Sequence, residues 1–158
     1  MSSKKTNAMR MLDSAKIPYE CAEYTVDESD LSGVHIAEEL NISPKIMYKT
    51  LVCRSNSGEH VVFCIPSDDE LNLKKCAVVS SHKNVEMIPT KELLSTTGYI
   101  RGGCSPIGMK KLFPTYIYSN AKSLEKIYVS AGERGKQLII SPKDLAAFIG
   151  AKFADIIR

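Results

Sequence analysis

The sequence contains no tryptophan and only three histidines, and its five cysteines are an odd number without CxxC spacing. This pattern argues against both a disulfide framework and a zinc site, so no metal is expected. No segment approaches the roughly 18 consecutive apolar residues of a membrane span. The polar N-terminus lacks the apolar core of a secretory signal. These absences predict a cytoplasmic protein that does not act at a membrane.

The chain also lacks a large excess of charge of either sign, because its formal net charge is +3 and its pI is near 8.5. This mildly basic balance permits an RNA partner but falls short of a dedicated nucleic-acid-binding domain, and no DNA partner is expected. The composition, with 44% hydrophobic and 25% charged residues, is typical of a soluble globular protein. A length of 158 residues predicts one domain, covering 1–158.

Periodic apolar residues and turn signals predict short helices and short strands that alternate along the chain. Helices are expected over 6–16, 35–40, 71–78, 89–96 and 145–149, with a brief helical turn at 45–48. Strands are expected over 19–25, 49–54, 60–66, 85–88, 114–119, 127–130 and 137–140. Turns at Ser55–Gly58 and Gly132–Gly135 indicate hairpins. This mixture favours an α+β fold with a mixed sheet.

The densest cluster of glycine and proline is the stretch Arg101–Lys111, with three glycines and a proline within seven residues. Glycine permits positive φ and close approach of the backbone to a ligand, and Pro106 fixes its own φ. Successive backbone N–H groups in such a loop can form a concavity for an anion or a carbonyl oxygen. The pattern also fits a plain connecting turn, and local sequence leaves both interpretations open.

Familiar catalytic motifs are missing from the sequence. Ser105 is followed by Pro106 and lacks the GxSxG context, and the loop lacks the GxxxxGK[ST] spacing of a nucleotide-binding loop. Cys104 is a candidate nucleophile, but the sequence identifies neither a histidine partner nor a helix N-terminus for it. Cys53 and Cys64 lie within apolar runs and are expected in the core. Lys49 opens an apolar strand, where its ammonium faces either a ligand oxygen or water.

Several short motifs occur together in the order and spacing of a known family. They are Tyr24, Tyr48–Val52, Leu73–Lys75, Glu86–Met87, Thr97–Tyr99, Gly102–Gly108, Val129–Gly132, Arg134–Gly135 and Ser141–Leu145. In these motifs the chain resembles the YbaK/EbsC family, free-standing relatives of the editing domain inserted in bacterial prolyl-tRNA synthetase. The resemblance is greatest to the branch that deacylates Cys-tRNA(Pro). It implies a mixed, partly barrel-like sheet flanked by helices.

The resemblance also implies a set of site residues. Those expected at the catalytic centre are Lys49, Gly102 and Tyr24, and those expected to contact substrate are Thr50, Gly103, Ser105, Pro106 and Ser130. Basic residues expected to form a diffuse phosphate-binding face are Lys74, Lys75, Lys110, Lys111 and Lys122. The family varies at the loop cysteine, which weakens Cys104 as a nucleophile. The chain departs from the family at Ser32–Gly33, where relatives often carry a histidine or aromatic residue before the glycine.

The implied reaction needs no cofactor and no side-chain base, because the thiol of the bound cysteine attacks its own ester carbonyl. The amides of Gly102 and Gly103 would stabilise the carbonyl oxygen, and Lys49 would hold the tRNA 3′ end, oriented by Tyr24 and Ser130. Expected partners are aminoacyl-tRNA, as Cys-tRNA(Pro) or Cys-tRNA(Cys), and prolyl-tRNA synthetase. Two alternatives stay open: hydrolysis of Ala-tRNA(Pro), and a non-catalytic EbsC-like regulator that binds tRNA or a synthetase.

Overall fold

The computed structural model describes residues 4–158, which form five α-helices and eight β-strands. The helices are α1 (Asn7–Ser14), α2 (Gly33–Glu39), α3 (Leu73–Val79), α4 (Leu93–Thr97) and α5 (Pro142–Ile149). The strands are β1 (Glu20–Glu23), β2 (Tyr48–Ser55), β3 (His60–Pro66), β4 (Val85–Met87), β5 (Thr115–Tyr118), β6 (Ile127–Ser130), β7 (Lys136–Ile140) and β8 (Lys152–Ala154). None of the helices in this part of the chain combines the length and apolar character needed to span a bilayer.

The strands form two sheets. The large sheet has the order β4-β2-β3-β5-β8, antiparallel among β4, β2 and β3 and parallel where β5 meets β3 and β8. The small sheet is antiparallel with the order β1-β7-β6. The predicted α+β class and the mixed sheet are therefore confirmed. Met47 and Tyr128 form an isolated bridge between the sheets, and no closed barrel occurs within residues 4–158.

Two clusters of buried side chains hold these layers together. The main core cluster joins both sheets to α1 and α5, and it includes Leu12, Cys64 and Leu145, all with no exposed surface. A second cluster packs α3 on the large sheet around Cys53 and Phe63. Because Phe63 and Cys64 are successive strand residues, they point to opposite faces of the large sheet. The expected core positions of Cys53 and Cys64 are confirmed.

Local end signals explain several element boundaries. The Thr6 hydroxyl accepts a hydrogen bond from the Met9 amide at 3.3 Å, so Thr6 is the N-cap of α1. Tyr48 begins β2 rather than ending a helical turn, because it pairs with Pro66 of β3. Cys21 is exposed, since β1 is an edge strand of the small sheet. The short strand β8 was not predicted.

The free edge of β2 gives the site its place in the fold. Strand β4 pairs only with Cys53–Ser55, and the Ile88 amide donates to the Val52 carbonyl at 3.1 Å. Among the described strands, none covers the first part of β2 on that side. The backbone and side chains at the start of β2 therefore face a cavity instead of a neighbouring strand.

Candidate active site

A cavity of about 350 Å³ lies against the free edge of β2. Its walls come from both sheets, from the start of α2, from the segment between β4 and α4, and from the glycine loop. Lys49 and Arg101 contribute charge to this lining, and no carboxylate belongs to it in the part of the chain that the structure describes. The cavity therefore favours anionic or electron-rich groups beside β2 and the glycine loop, where these two cations lie.

Lys49 stands at the start of β2, half-buried in the cavity wall. Burial lowers the pKa of its ammonium, and surrounding carboxylates only partly offset this effect. Two of those carboxylates are held by another cation, because the Lys45 ammonium lies 3.2 Å from Asp68 and 3.4 Å from Asp69. Within residues 4–158, Lys49 itself forms no ion pair. Its ammonium is thus available to a ligand.

The glycine loop presents Arg101 and Gly102 to the same cavity. Gly102 has a φ of +85°, a conformation that favours glycine. The Arg134 side chain supports this turn, since its Nε donates to the Arg101 carbonyl at 2.9 Å. No acceptor for the Gly102 amide is found among the described residues. The structure thus brings Lys49 and Gly102 to one cavity from different elements.

Other predicted substrate contacts in the loop lie behind the cavity wall. The Gly103 amide donates to the Ile100 carbonyl at 3.0 Å, so it is already occupied. Ser105 has no exposed surface, and its hydroxyl accepts from the Ile107 amide at 3.2 Å. Pro106 is also buried, and none of Gly103, Ser105 and Pro106 lines the cavity. These residues shape the loop that presents Gly102.

Thr50 and Ser130 line the cavity, whereas Tyr24 does not. The Ser130 hydroxyl accepts from the Gly132 amide at 3.2 Å, and the Thr50 hydroxyl lies 3.8 Å from the sulfur of Cys64. Tyr24 packs in a small apolar cluster with residues of α2 and with Met47, which reaches the cavity. Tyr24 therefore does not line the cavity itself but packs against a residue that does.

Cys104 lines the cavity with only 9% of its surface exposed. Burial raises the pKa of its thiol to about 12, so very little thiolate forms near neutral pH. His60 lies outside the cavity lining, and burial lowers the pKa of its imidazole. The arrangement does not activate Cys104 as a nucleophile. Residues 4–158 also contain no group of three or more His, Cys, Asp or Glu side chains placed to hold a metal ion.

The lysines expected to bind phosphates are spread over the surface. Lys74 lines a second groove that also includes Lys49, so this groove adjoins the cavity. Lys75 instead forms an ion pair with Asp155 at 2.9 Å and fastens α3 to the C-terminal segment. The remaining lysines of the set lie outside both concavities: Lys110, Lys111 and Lys122.

Gln137 was not predicted as a site residue, but it lines the cavity from β7 with only 4% of its surface exposed. A glutamine at a strand start is typical of a surface position. The available signal was the apolar run Leu138–Ile140 directly after it, since such runs indicate strands buried on both faces. Gly33, which the chain shares with those relatives, has no room for a side chain, because a Cβ there would lie 2.6 Å from the Ser67 Cβ.

Known proteins resemble this chain in sequence and in structure. Residues 32–148 match the model of the aminoacyl-tRNA editing domain. The chain is 47% identical, over 98% of its length and 94% of the other, to an Enterococcus faecalis protein provisionally described as the Cys-tRNA(Pro)/Cys-tRNA(Cys) deacylase EbsC. It is 33% identical to a proline–tRNA ligase of Sulfurihydrogenibium sp., over 70% of this chain and 19% of that protein.

A solved structure provisionally described as a trans-editing enzyme for prolyl tRNA synthetase superposes with a TM-score of 0.81. It is 19% identical in sequence, and the match covers 98% of this chain and 99% of that one, so it supports the fold. The match to the editing-domain model spans most of the sequence, and the E. faecalis protein is similar over nearly all of it. The chain therefore belongs to the aminoacyl-tRNA editing domain family.

Proposed function

We propose that this protein is a deacylase that releases cysteine from Cys-tRNA(Pro) and Cys-tRNA(Cys). The observation that carries the proposal is that Lys49 and Gly102 line one cavity without a carboxylate among its described lining residues. A cationic cavity with a free backbone amide suits an ester attached to a polyanion. The description of the 47% identical relative supports the choice of cysteine as the amino acid.

The proposed reaction uses the thiol of the substrate. A bond forms between the cysteine sulfur and its own ester carbonyl carbon, and the bond from that carbon to the ribose oxygen breaks. The thiol proton passes to the ribose oxygen, so the products are a cysteine thiolactone and deacylated tRNA. Water then opens the thiolactone to free cysteine. The raised pKa of Cys104 supports this route, because the cavity offers no competing thiolate near neutral pH.

Each cavity residue has a role in this proposal. The Gly102 amide donates to the carbonyl oxygen as negative charge develops on it, a contribution worth about 2.7 to 4 kcal/mol where one such donor was removed in other enzymes. The Lys49 ammonium holds the ribose–phosphate end, and Thr50 and Ser130 limit the movement of the ester. Tyr24 supports the wall through Met47. Gly103 is left out, because its amide is engaged by Ile100.

The groove beside the cavity is the proposed path of the tRNA 3′ end. It shares Lys49 with the cavity and adds Lys74 and Arg158, of which Arg158 is paired with Glu70 at 2.9 Å. Phosphate contacts of this kind release counterions, so added salt should raise KM while kcat changes little. A KM that does not respond to salt would contradict the tRNA path. The relatives named for prolyl-tRNA synthesis support a link to that synthetase.

The experiment that tests the proposal compares Lys49→Met with Lys45→Met. Purified proteins are incubated with cysteinyl-, alanyl- and prolyl-tRNA, and the remaining ester is measured over time. We expect the wild type to deacylate cysteinyl-tRNA fastest, Lys49→Met to lose at least about 100-fold of that rate, and Lys45→Met to keep it. Lys45 is the matched control because it is an exposed lysine of the preceding turn that pairs with Asp68 and Asp69.

Thermal unfolding separates loss of function from loss of fold. Because burial lowers the pKa of Lys49 below its unfolded value of 10.5, its charge destabilises the folded state at neutral pH. Lys49→Met should therefore raise the Tm at pH 7, and the gain should shrink as the pH rises through the folded and then the unfolded pKa. Equal turnover of alanyl-tRNA would instead favour hydrolytic editing. Tight tRNA binding without turnover would favour the non-catalytic regulator.

A further inference from the structure

The side chain of Gln137 has an unmet hydrogen-bonding capacity at the cavity. Its Oε1 atom is shielded from solvent and accepts no hydrogen bond from residues 4–158. The residue itself is only 4% exposed and belongs to the cavity lining. Buried amide oxygens in folded proteins nearly always have a donor, so an unpaired one beside a cavity indicates that a ligand supplies it.

Gln137 reaches the cavity from the small sheet. It is the direct cross-strand partner of Ser130, which lines the same cavity from β6. Cross-strand partners point to the same face of a sheet, about 4.5 to 5.5 Å apart at Cβ. Lys49 belongs to the large sheet, so the two polar features of the cavity lie on different sheets. A ligand that spans the cavity therefore meets a cation at one end and an amide at the other.

The other polar side chains of the lining are largely occupied. Hydroxyl groups with partners inside the protein are Ser32 with the His35 amide at 3.2 Å, Ser67 with the Pro44 carbonyl at 3.1 Å, Ser130 with the Gly132 amide at 3.2 Å, and Thr50 with the Cys64 sulfur at 3.8 Å. Among the solvent-shielded side-chain atoms of the described lining, the Tyr48 hydroxyl and the Gln137 Oε1 have no partner. The Tyr48 ring packs in the main core cluster, and no described lining residue is a carboxylate, so Gln137 Oε1 is the unused acceptor on the small-sheet wall. Rotation about its last torsion can turn either polar atom toward the cavity.

An aminoacyl ester offers one group that matches this acceptor. The ester oxygens only accept hydrogen bonds, and the cysteine thiol is a weak donor. The α-ammonium carries three strong N–H donors and needs an acceptor when it enters a buried site. If Lys49 and Gly102 hold the ribose and carbonyl end, the α-ammonium lies toward the small sheet. This inference thus rests on the proposed function for its substrate class.

We infer that Gln137 binds the free α-ammonium of the aminoacyl group and makes the site selective for esters of unmodified amino acids. An N-acylated residue, as in peptidyl-tRNA, replaces two of those donors with a bulky acyl group. Such a substrate would offer the Gln137 oxygen only one uncharged N–H, a weaker partner than an ammonium, and its acyl group would crowd the small-sheet wall. The deacylase would consequently spare N-acylated tRNAs.

Binding of non-hydrolysable analogues tests the inference without any turnover. The probes are adenosines whose 3′ position carries, in amide linkage, cysteine, 3-mercaptopropionate, which lacks the amino group, or N-acetylcysteine. Affinities are measured by calorimetry for the wild type, Gln137→Leu and Gln137→Glu. We expect the wild type to prefer the cysteinyl probe over the other two by about tenfold or more. Gln137→Leu should abolish the preference, and Gln137→Glu should keep it because it retains an acceptor.

Thermal unfolding of the same variants distinguishes binding from a structural role. Gln137→Leu replaces an unpaired buried amide with an apolar group of similar size, so the Tm should stay equal or rise. A wild type without preference for the cysteinyl probe would overturn the inference, as would failure to bind that probe at millimolar concentration. An equal loss of affinity for all three probes in Gln137→Leu, with a lower Tm, would also overturn it.

The binding experiment tests the role of Gln137, and the deacylation assay tests the proposed reaction, so either can fail without the other. Amine-selective binding without deacylation of cysteinyl-tRNA would contradict the reaction and support the role of Gln137. Deacylation of cysteinyl-tRNA without amine-selective binding would support the reaction and overturn the role of Gln137.

Discussion

The front of the glycine loop, Arg101–Gly102, lines the cavity, whereas its back, Ser105–Gly108, does not and is anchored in the main core by Ile107. Ile107, in the back, has no exposed surface and lies among side chains of both sheets. Gly102, in the front, is partly exposed and its amide has no partner within residues 4–158. One continuous motif therefore contains a ligand-facing part and an anchoring part.

The two parts are held by different contacts. The Tyr99 hydroxyl donates to the Ile107 carbonyl, and the Ile107 amide donates to the Ser105 hydroxyl at 3.2 Å. The front is held by Arg134, whose Nε donates to the Arg101 carbonyl at 2.9 Å. Two glycines of one loop are thus required for different reasons. Gly102 keeps an amide accessible, and Gly108 lets the chain pass close to its neighbours.

Among the substitutions that test this difference between front and back, Gly102→Ala is expected to have the largest effect. Alanine at a φ of +85° costs about 1–2 kcal/mol, and its Cβ would meet the side chains of Arg134 at 3.3 Å and Leu31 at 3.4 Å. Both side chains can move, so the protein should fold with its front displaced. We expect the single-turnover rate on cysteinyl-tRNA to fall about 100-fold, as for other lost carbonyl-binding donors. A rate within about twofold of wild type would remove the Gly102 amide from the proposed mechanism.

A smaller effect, on stability rather than activity, is expected from Gly108→Ala. Gly108 has a φ of +80°, and its Cβ would lie 3.0 Å from the Tyr99 hydroxyl and 3.2 Å from both Asn7 and Met11. Strain and crowding together should lower the free energy of unfolding by about 1–3 kcal/mol. Denaturant unfolding measures this loss, and deacylation below the melting temperature should stay within about twofold of wild type.

Gly58→Ala is the matched control for that prediction. Gly58 has a φ of +90°, and no atom lies within 4 Å of the position its Cβ would take. Its substitution therefore carries the same backbone strain without crowding, at a cost of about 1 kcal/mol. If Gly108→Ala costs no more than Gly58→Ala but lowers activity more, the back of the loop acts in the reaction, and the contrast between front and back is wrong.

Much of this fold could be predicted, because its elements carry local signals. The Thr6 cap, the strands β2 and β3 and the glycine turns follow from residues a few positions apart. The shared cavity of Lys49 and Gly102 was expected from the family resemblance, and the structure places both in its lining. Their chemical roles stay predictions.

The unpredicted features depend on partners far away in the chain. β8 forms because Lys152–Ala154 docks beside β5, and three residues carry no periodic signal of their own. The occupied amide of Gly103 depends on how the loop folds back on Ile100. Gln137 belongs to the site only because β7 pairs with β6, which brings it beside Ser130. Pairing between distant segments decides which polar groups end up free.

The smallest effect on activity is expected from substitution of Cys104, which lies between the front and the back of the loop. Burial raises the pKa of this thiol to about 12, and its neighbours in the apolar cluster include Val52 and Ile88. Cys104→Ser and Cys104→Ala should both retain the deacylation rate within about twofold, because a protonated buried thiol is a poor nucleophile. Burial of the serine hydroxyl in this apolar cluster should lower the free energy of unfolding of Cys104→Ser by about 1–3 kcal/mol. Cys104→Ala brings no polar group into the cluster and avoids this cost.

The pH profile adds an independent readout at Cys104. If the substrate thiol is the nucleophile, the wild-type rate should rise with pH as that thiol ionises, near its ordinary pKa of about 8.5. A Cys104 nucleophile would instead make the rate climb toward its raised pKa of about 12, since the thiolate forms only as pH passes that value. Identical profiles for wild type and both variants therefore place the reacting sulfur on the substrate. Complete loss of activity in both variants, with the fold retained, would instead identify the Cys104 sulfur as the nucleophile. The reactive residue would then lie between the front and the back of the loop.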